Sequence, residues 1–194
     1  MGSLSGRTKL NTQPSFFAHA LAVIEPGAVI GEGTRVWHHS HIRSGARIGS
    51  NCNLGKNVFV DDGATIGDWV KIQNNVSVYS GVSIGDEVFV GPSAVFTNDR
   101  FPRARNPSWE ETPTFVRRGA SIGANATIVC GVELGEWCAV GAGSVVTRSL
   151  AAHELVVGNP ARQMGWVCTC GQIVSRDKEP PADLRCADCR APGS

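Results

Sequence analysis

Three histidines fall within four positions near the start of the chain, in a stretch that reads VWHHSHIR over residues 36–43. Imidazole nitrogens are common metal ligands, and they also take up and release protons near neutral pH. The cluster therefore suggests a metal site or an acid/base group. Which of these fits depends on where the side chains of His38, His39 and His41 point, and that depends on the fold.

Four of the seven cysteines follow the pattern C-x-C-x15-C-x2-C near the end of the chain. Two cysteine pairs at this separation are typical of a zinc ribbon, although the first pair is one residue closer than the usual C-x2-C. Four thiolates complete a tetrahedron and leave no position for water, so we predict a structural zinc site. The alternative is a flexible tail that carries cysteines. The predicted ligands are Cys168, Cys170, Cys186 and Cys189.

An apolar residue recurs at every sixth position and indicates how the rest of the chain is built. The series runs from Ile24 to Phe96 without a slip and resumes, shifted by two residues, from Val116 to Val146. A small or β-branched residue commonly follows four positions after a member. Gly or Asn, which tolerate positive φ, commonly follows after three. The pattern predicts short strands joined by tight corners, in a β-solenoid.

This hexapeptide pattern resembles that of the left-handed parallel β-helix acyltransferases, whose triangular coils take three hexapeptides per turn. The resemblance covers about residues 18–160, and VVGNPAR at 156–162 is similar to the ending of the family's coil. It implies an all-β fold, a left-handed parallel β-helix of hexapeptide repeats. The break in the period adds an excursion loop, and the cysteine spacing adds a small C-terminal zinc-ribbon-like module. The predicted parts are a flexible N-terminal segment (1–17), the β-helix acetyltransferase domain (18–162, with its loop at 98–115) and the tail (163–194).

Coils of this kind place residues eighteen apart in columns, about 4.8 Å per step. We expect the break after Phe96 to be an excursion within one coil, so that the columns continue beyond it. One outward column is mostly glycine, which leaves bare backbone that an extended ligand can approach. The corner column beside it is His38, Lys56, Asn74, Pro92, Ala124 and Ala142, and the outward column is Trp37, Gly55, Gln73, Gly91, Gly123 and Gly141.

On this map His38 and His39 lie at a corner and His41 lies on the next face, so their side chains diverge. The gamma carbonic anhydrases, which share the hexapeptide fold, need histidines from more than one coil, and the positions one coil on are Lys, Asn and Phe. We therefore predict no metal site at these histidines. They are solvated corner and interface residues or, in the case of His38, a substrate contact at the end of the groove.

Residues 98–115 leave the register of the coil, and an excursion from a solenoid commonly lies on its binding face. The segment is rich in arginine, whose guanidinium group suits phosphates by charge and geometry. The alternative is a solubilising loop in which Glu110 and Glu111 partner the arginines. The arginines are Arg100, Arg103 and Arg105, followed closely by Arg117 and Arg118.

Four motifs narrow the resemblance to a subgroup: QNNVSVY at 73–79, GPSAVFTND at 91–99, FPRA at 101–104 and RRGASIGANATI at 117–128. They resemble those of the nucleotide-linked 3-amino-sugar N-acetyltransferases. The resemblance implies transfer of acetyl from acetyl-CoA to the C3 amine of a dTDP- or UDP-linked deoxysugar. It also implies a homotrimer with active sites between neighbouring subunits.

The resemblance places Asn98 at the reacting amine, which its amide can orient but from which it cannot take the proton. Asp99 and the partner subunit's His38 are weaker candidates for the base. The remaining assignments cover the two phosphate-rich ligands. We assign Gln73, Asn74, Tyr79, Arg100 and Arg103 to the sugar nucleotide, and Ala124, Ala142, Arg118, Arg148 and Arg162 to acetyl-CoA.

The histidine content favours an amine acceptor over a hydroxyl. Many hexapeptide O-acetyltransferases use a catalytic histidine after the middle of the coil, whereas here His153 is the only histidine beyond His41. A hydroxyl acceptor needs a base far more than an amine does.

The alternative functions are those of an O-acetyltransferase, a 4-amino-sugar N-acyltransferase or a transferase of longer acyl chains, and that of a non-catalytic scaffold or binding subunit.

The composition limits the partners and the compartment. A formal charge of +1 with 42% hydrophobic residues suggests neither nucleic acid nor an anionic membrane as a partner. The polar start of the chain lacks the apolar core of a signal peptide, and no run is long enough for a membrane span. We predict a cytoplasmic protein whose thiols are reduced, with Cys52 and Cys138 as small core residues.

Overall fold

The computed structural model describes residues 15–190. Residues 1–14 of the predicted N-terminal segment and residues 191–194 of the predicted tail lie outside the described residues. The elements in chain order are β1 (Phe17–Ala18), β2 (Val23–Ile24), β3 (Val29–Ile30), β4 (Arg35–Val36), β5 (His41–Ile42), β6 (Arg47–Ile48), β7 (Asn53–Leu54), β8 (Phe59–Val60), β9 (Thr65–Ile66), β10 (Lys71–Ile72), β11 (Ser77–Val78), β12 (Val82–Ile84), β13 (Phe89–Val90), β14 (Val95–Phe96), β15 (Thr114–Val116), β16 (Ser121–Ile122), β17 (Thr127–Ile128), β18 (Glu133–Leu134), β19 (Ala139–Val140), β20 (Val145–Val146), β21 (Glu154–Val157), β22 (Arg162–Val167), β23 (Ile173–Ser175) and α1 (Ala187–Arg190).

The strands form three sheets, which are the three faces of a parallel β-solenoid. Sheet A has the order β1-β4-β7-β10-β13-β16-β19-β21-β22-β23, sheet B the order β2-β5-β8-β11-β14-β17-β20, and sheet C the order β18-β15-β12-β9-β6-β3. Neighbouring coils pair in parallel with a register of eighteen residues, as between Arg35 and Asn53, except across the excursion and at the last parallel pairing. The predicted all-β parallel solenoid is therefore confirmed.

The six-residue period arises because one inward side chain from each short strand fills the core. Val36, Ile42 and Ile48 belong to one coil and come from sheets A, B and C in turn, and all three are buried. The residues four positions later also point inward, and the predicted core cysteines Cys52 and Cys138 are buried among them. Burial of this continuous column of aliphatic side chains stabilises the coil.

The coil register returns at Thr114, earlier than the sequence predicts. Thr114 pairs with Val82 of the coil below, and its N–H donates to the carbonyl of Gly81 at 3.0 Å. Its side chain is buried, so the residue cannot belong to a solvated loop. The excursion accordingly ends at residue 113 rather than 115, and it is an insertion within one coil as expected.

The last parallel strand is β21, and from residue 162, the predicted end of the β-helix domain, the chain continues sheet A in antiparallel pairing. β22 pairs antiparallel with β21 and continues sheet A, and β23 then pairs with β22. Trp166 is buried, and its Nε1–H donates to the carbonyl of Asp177 at 3.1 Å. The tail is therefore joined to the last coil by a shared sheet. Between residues 15 and 190, no helix has the length and apolar character needed to cross a membrane.

Candidate active site

The corner between sheets A and B carries the predicted column of polar residues. The carbonyls of His38, Lys56 and Asn74 accept hydrogen bonds from the N–H groups at positions 57, 75 and 93, at 2.9–3.0 Å. A cleft of about 270 Å³ opens beside this column. We call it the A–B cleft, and its lining residues are Trp37, His38, Asn53, Gly55, Lys56, Gln73 and Asn74. The structure thus brings together His38, Gln73 and Asn74 of the predicted site.

The ring of His38 stacks on His19 with 3.5 Å between the centroids. The pKa of His38 is lowered from its ordinary value, first because the ring is desolvated. The neighbouring cationic groups His19, His39 and Lys56 lower it further. The neutral imidazole is therefore favoured more at His38 than at an ordinary histidine.

His41 lies on the outer face of sheet B, away from His38. Its Nε2 is 2.7 Å from a carboxylate oxygen of Glu25. The predicted divergence of the histidines is confirmed, and within residues 15–190 they form no group that could hold a metal ion.

Asn98 lies at a different corner, between sheets B and C, where the excursion leaves the coil. Its Nδ2 donates to Ser80 Oγ at 3.3 Å, and its carbonyl accepts from the N–H of Thr112 at 3.2 Å. Tyr79 precedes Ser80 and makes an edge contact with Phe59, with 6.0 Å between the centroids. One chain therefore brings Tyr79 close to Asn98 and keeps both at a different corner from His38.

The excursion forms a small pocket of about 170 Å³ that includes Asp99 and Arg100. One carboxylate oxygen of Asp99 accepts from the N–H of Phe101 at 2.8 Å, and Arg103 donates to the carbonyl of Pro102 at 2.7 Å. The ion pairs among residues 15–190 include none between the arginines of the excursion and its glutamates. The partnering with Glu110 and Glu111 that the alternative predicts is therefore not seen in this part of the chain.

The corner column continues past the excursion to Ala124 and Ala142. The N–H of Gly143 donates to the carbonyl of Ala124 at 2.8 Å, which fixes the stacking of these coils. A Cβ atom at Gly123 would lie 2.5 Å from the backbone nitrogen of Ala142. Glycine is thus required there for the close stacking of the two coils. Ala142 is exposed and Ala124 is half-buried.

The three arginines assigned to acetyl-CoA all have protein partners. Arg118 pairs with Glu87 and lies over the ring of Trp137. Arg148 pairs with the buried Glu154, and this hydrogen bond raises the pKa of the guanidinium. Arg162 donates to the carbonyl of the preceding residue at 3.2 Å. Their role as phosphate ligands stays a prediction.

The four cysteines of the tail come together as predicted. Their Sγ atoms all lie within 4.8 Å of one another, and those of Cys170 and Cys186 are 3.5 Å apart. A tetrahedral zinc site with bonds of about 2.3 Å needs sulfur atoms about 3.8 Å apart. Burial of Cys168 raises the pKa of its thiol. Hydrogen bonds from the backbone N–H groups of Cys170 and Cys186 to its sulfur act in the opposite direction, and the net effect lowers the pKa to about 6. The cluster, completed by Cys189, could hold a metal ion.

Sequence reasoning assigned no role to Lys56 or Asn53, although both line the A–B cleft. Lys56 belongs to the corner column, so the six-residue period predicts its place beside His38 and Asn74. Asn53 is an outward strand residue, and its hydrogen bond to the Trp37 indole is visible only in the structure.

Family comparison supports the pattern of repeats. The model described as bacterial transferase hexapeptide (six repeats) matches residues 27–62, 63–98 and 113–148, which is more than half of the chain. The chain belongs to the bacterial hexapeptide transferase family. A second model, hexapeptide repeat of succinyl-transferase, matches residues 45–80 of this hexapeptide transferase.

Among curated proteins, the hexapeptide transferase is similar to dTDP-3-amino-3,6-dideoxy-alpha-D-galactopyranose 3-N-acetyltransferase from Aneurinibacillus thermoaerophilus. The two are 58% identical over 57 residues, which cover 29% of this chain and 30% of that protein. The match thus spans less than a third of the relative's length.

Two solved structures have a similar fold. A hexapeptide-repeat-containing acetyltransferase from Vibrio cholerae is 25% identical with a TM-score of 0.52, over 72% of this chain and 73% of that chain. The acetyltransferase domain of PglB from Neisseria gonorrhoeae, in complex with acetyl coenzyme A, is 21% identical with a TM-score of 0.52. This match covers 77% of the hexapeptide transferase and 57% of that chain.

Proposed function

We propose that the protein transfers acetyl from acetyl-CoA to the C3 amine of a dTDP- or UDP-linked amino-deoxysugar. The observation that carries this proposal is the 58% identity over 57 residues with a dTDP-3-amino-sugar 3-N-acetyltransferase. The family membership and the similarity to the acetyltransferase from Vibrio cholerae agree with acyl transfer.

The reaction joins the amine nitrogen to the thioester carbonyl carbon and breaks the carbon–sulfur bond. The proton lost by the amine ends on the sulfur of coenzyme A. Asn98 orients the amine, because its amide is fixed by Ser80 at the entrance of the excursion. Asp99 and the partner subunit's His38 are the candidates that could relay the proton, and Asp99 keeps one carboxylate oxygen beyond its bond to Phe101.

Acetyl-CoA would lie along the outer side of the later coils. The backbone N–H groups of Ala124 and Ala142 donate to no protein acceptor among residues 15–190, and such groups suit the carbonyl oxygens of the two pantetheine amides. Arg118, Arg148 and Arg162 are the candidates for its phosphates.

We propose a homotrimer with active sites between subunits. The cluster around His38 and the cluster around Asn98 lie at different corners of one chain. A site that uses both needs the A–B corner of one subunit to face the B–C corner of its neighbour.

We propose that Cys168, Cys170, Cys186 and Cys189 bind zinc as a structural site. A four-thiolate zinc has no open position for substrate, so it contributes to the order of the tail and not to the chemistry.

Both proposed substrates are cytoplasmic metabolites, which supports a cytoplasmic location without membrane or nucleic-acid partners.

The test is a coenzyme A release assay with dTDP- and UDP-linked 3-amino and 4-amino sugars and with hydroxyl acceptors. We expect release that depends on a 3-amino sugar. Preference for a 4-amino sugar or a hydroxyl would replace the proposed acceptor. No release with any acceptor, together with no acetyl-CoA binding, would favour the scaffold.

A further inference from the structure

We propose that the A–B cleft binds the diphosphate of a nucleotide through Lys56, Asn53 and Asn74. This inference rests on the proposed function and assigns the acceptor's nucleotide to a particular corner of the fold. It depends on the donors, the charge and the floor of the cleft.

The two asparagines of the cleft offer hydrogen-bond donors. Asn53 Oδ1 accepts from the Trp37 indole N–H at 2.8 Å, and Asn74 Oδ1 accepts from the backbone N–H of Lys56 at 2.8 Å. These partners are donors only, so each amide must place its oxygen toward them. The NH₂ groups of both side chains therefore remain, and neither donates to a protein acceptor among residues 15–190. Donors without acceptors suit an anion.

The charge around the cleft has one sign. Lys56 takes part in none of the ion pairs found between residues 15 and 190. Arg35 and Lys71 flank Asn53 on the neighbouring strands of sheet A, and they too have no ion pair in that part of the chain. This surface carries positive charge that no carboxylate offsets, which favours a phosphate group.

The floor of the cleft is formed at Gly55, which lets Asn74 pack closely against the strand. Gly55 is buried, and a Cβ atom there would lie 2.6 Å from Asn74 Oδ1. Glycine at this position therefore helps to fix the Asn74 amide in the cleft. The Trp37 indole is nearly parallel to the His38 ring, with an angle of 8° and 6.3 Å between the centroids. These rings give the nucleotide an aromatic wall beside the phosphate donors.

Acetyl-CoA also carries phosphates, so two sources share this chemistry. The A–B cleft lies in the earlier coils, whereas the backbone proposed to meet pantetheine is at Ala124 and Ala142. From Asn74 to Ala142 the column rises three coils, or about 14 Å at the spacing of parallel strands. The candidates for the acetyl-CoA phosphates, Arg148 and Arg162, lie in the last coils as well. This arrangement favours the nucleoside diphosphate of the acceptor as the occupant.

The test is a calorimetric titration of the full-length protein with dTDP, UDP and coenzyme A. Lys56→Gln should weaken the nucleoside diphosphate Kd about tenfold, because it removes a charge-assisted hydrogen bond, and should leave the coenzyme A Kd unchanged. The matched control is Lys178→Gln, since Lys178 is exposed on the tail and only its backbone carbonyl is hydrogen-bonded. Unchanged nucleotide affinity in Lys56→Gln would overturn the proposal. Weakened coenzyme A binding with unchanged nucleotide binding would assign the cleft to coenzyme A.

A second readout is the pKa of His38, followed by NMR in the wild-type protein. A bound diphosphate stabilises the imidazolium, so dTDP should raise this pKa and coenzyme A should not. No change with dTDP would contradict the proposal even if the affinities behaved as expected. Nucleotide binding at this corner without acetyl transfer to any amino sugar would leave the subsite standing and refute the proposed function. Normal transfer with an unchanged KM for the sugar nucleotide in Lys56→Gln would refute the subsite and leave the proposed function standing.

Discussion

Asn98 and Ser80 occupy equivalent positions on successive coils, and Asn98 Nδ2 donates to Ser80 Oγ at 3.3 Å where the excursion leaves the solenoid. The bond fixes the orientation of the amide at the entrance of the arginine-rich loop. It leaves the side-chain oxygen of Asn98 as the group that can accept from a substrate amine.

Asn98→Ala should lower kcat about hundredfold through misorientation of the amine, with the Kd for acetyl-CoA nearly unchanged. Steady-state kinetics and an acetyl-CoA titration check this. Ser80→Ala is the matched control, because it removes the bond and keeps the amide, and it should have a smaller effect. Near-normal turnover in Asn98→Ala would restrict Asn98 to the structure of the corner.

His38→Asn should raise the KM for the sugar nucleotide and change kcat at most modestly, because we expect His38 to contribute to binding. Because the pKa of His38 is lowered, its proton is lost at a lower pH than that of an ordinary histidine. If His38 is instead the base, activity in the wild type should fall as the pH drops through that pKa. A large loss of kcat in which this acidic limb disappears would assign the base to His38.

Arg148→Ala should destabilise the last coil by about 1–2 kcal/mol, since it leaves the buried carboxylate of Glu154 without its ion pair. Thermal unfolding measures this effect. Arg162→Ala removes no ion pair, so it should keep the Tm and raise the KM for acetyl-CoA. An unchanged Tm in Arg148→Ala would show that the pair does not support the fold.

Purified protein should carry about one zinc per chain, and Cys186→Ser should abolish metal binding. Because the solenoid has its own core, loss of zinc should disorder the tail and lower activity only in part. Metal analysis and circular dichroism of the variant test both statements. Protein prepared without chelator and free of zinc would refute the site. Complete loss of chemistry in a trimeric variant that still binds acetyl-CoA would show that the tail lies nearer the active site than we propose.

Light scattering at micromolar concentration should give a mass about three times that of the monomer. The reason is that one chain keeps the His38 and Asn98 clusters at different corners. A monomer with full activity would refute a site shared between subunits.

The repeats could be predicted from the sequence because each inward residue is set by a local rule. Val36, Ile42 and Ile48 are buried since the six-residue period turns the same position inward on every face. The return of the register at Thr114 could not be predicted in this way, because it depends on pairing with Val82 across the whole excursion.

The candidate site was predicted less completely than the coil. The proximity of His38 and Asn74 could be predicted because the two residues occupy the same position of the repeat in different coils. Two side-chain contacts join adjacent coils: His41 pairs with Glu25, and the Trp37 indole bonds to Asn53. The six-residue repeat does not specify such contacts, so they could not be predicted from the sequence. The same limit applies to the tail, where β22 pairs with β21 across a turn that has no period.

The most direct test of the central claim is identification of the product formed from acetyl-CoA and a dTDP-linked 3-amino-3,6-dideoxyhexose. Mass spectrometry and NMR of the isolated product would locate the new group. We predict a single acetyl group in amide linkage to the nitrogen at C3, formed in a one-to-one ratio with free coenzyme A. An acetyl ester on a sugar hydroxyl, or coenzyme A release without an acetylated sugar, would contradict the account.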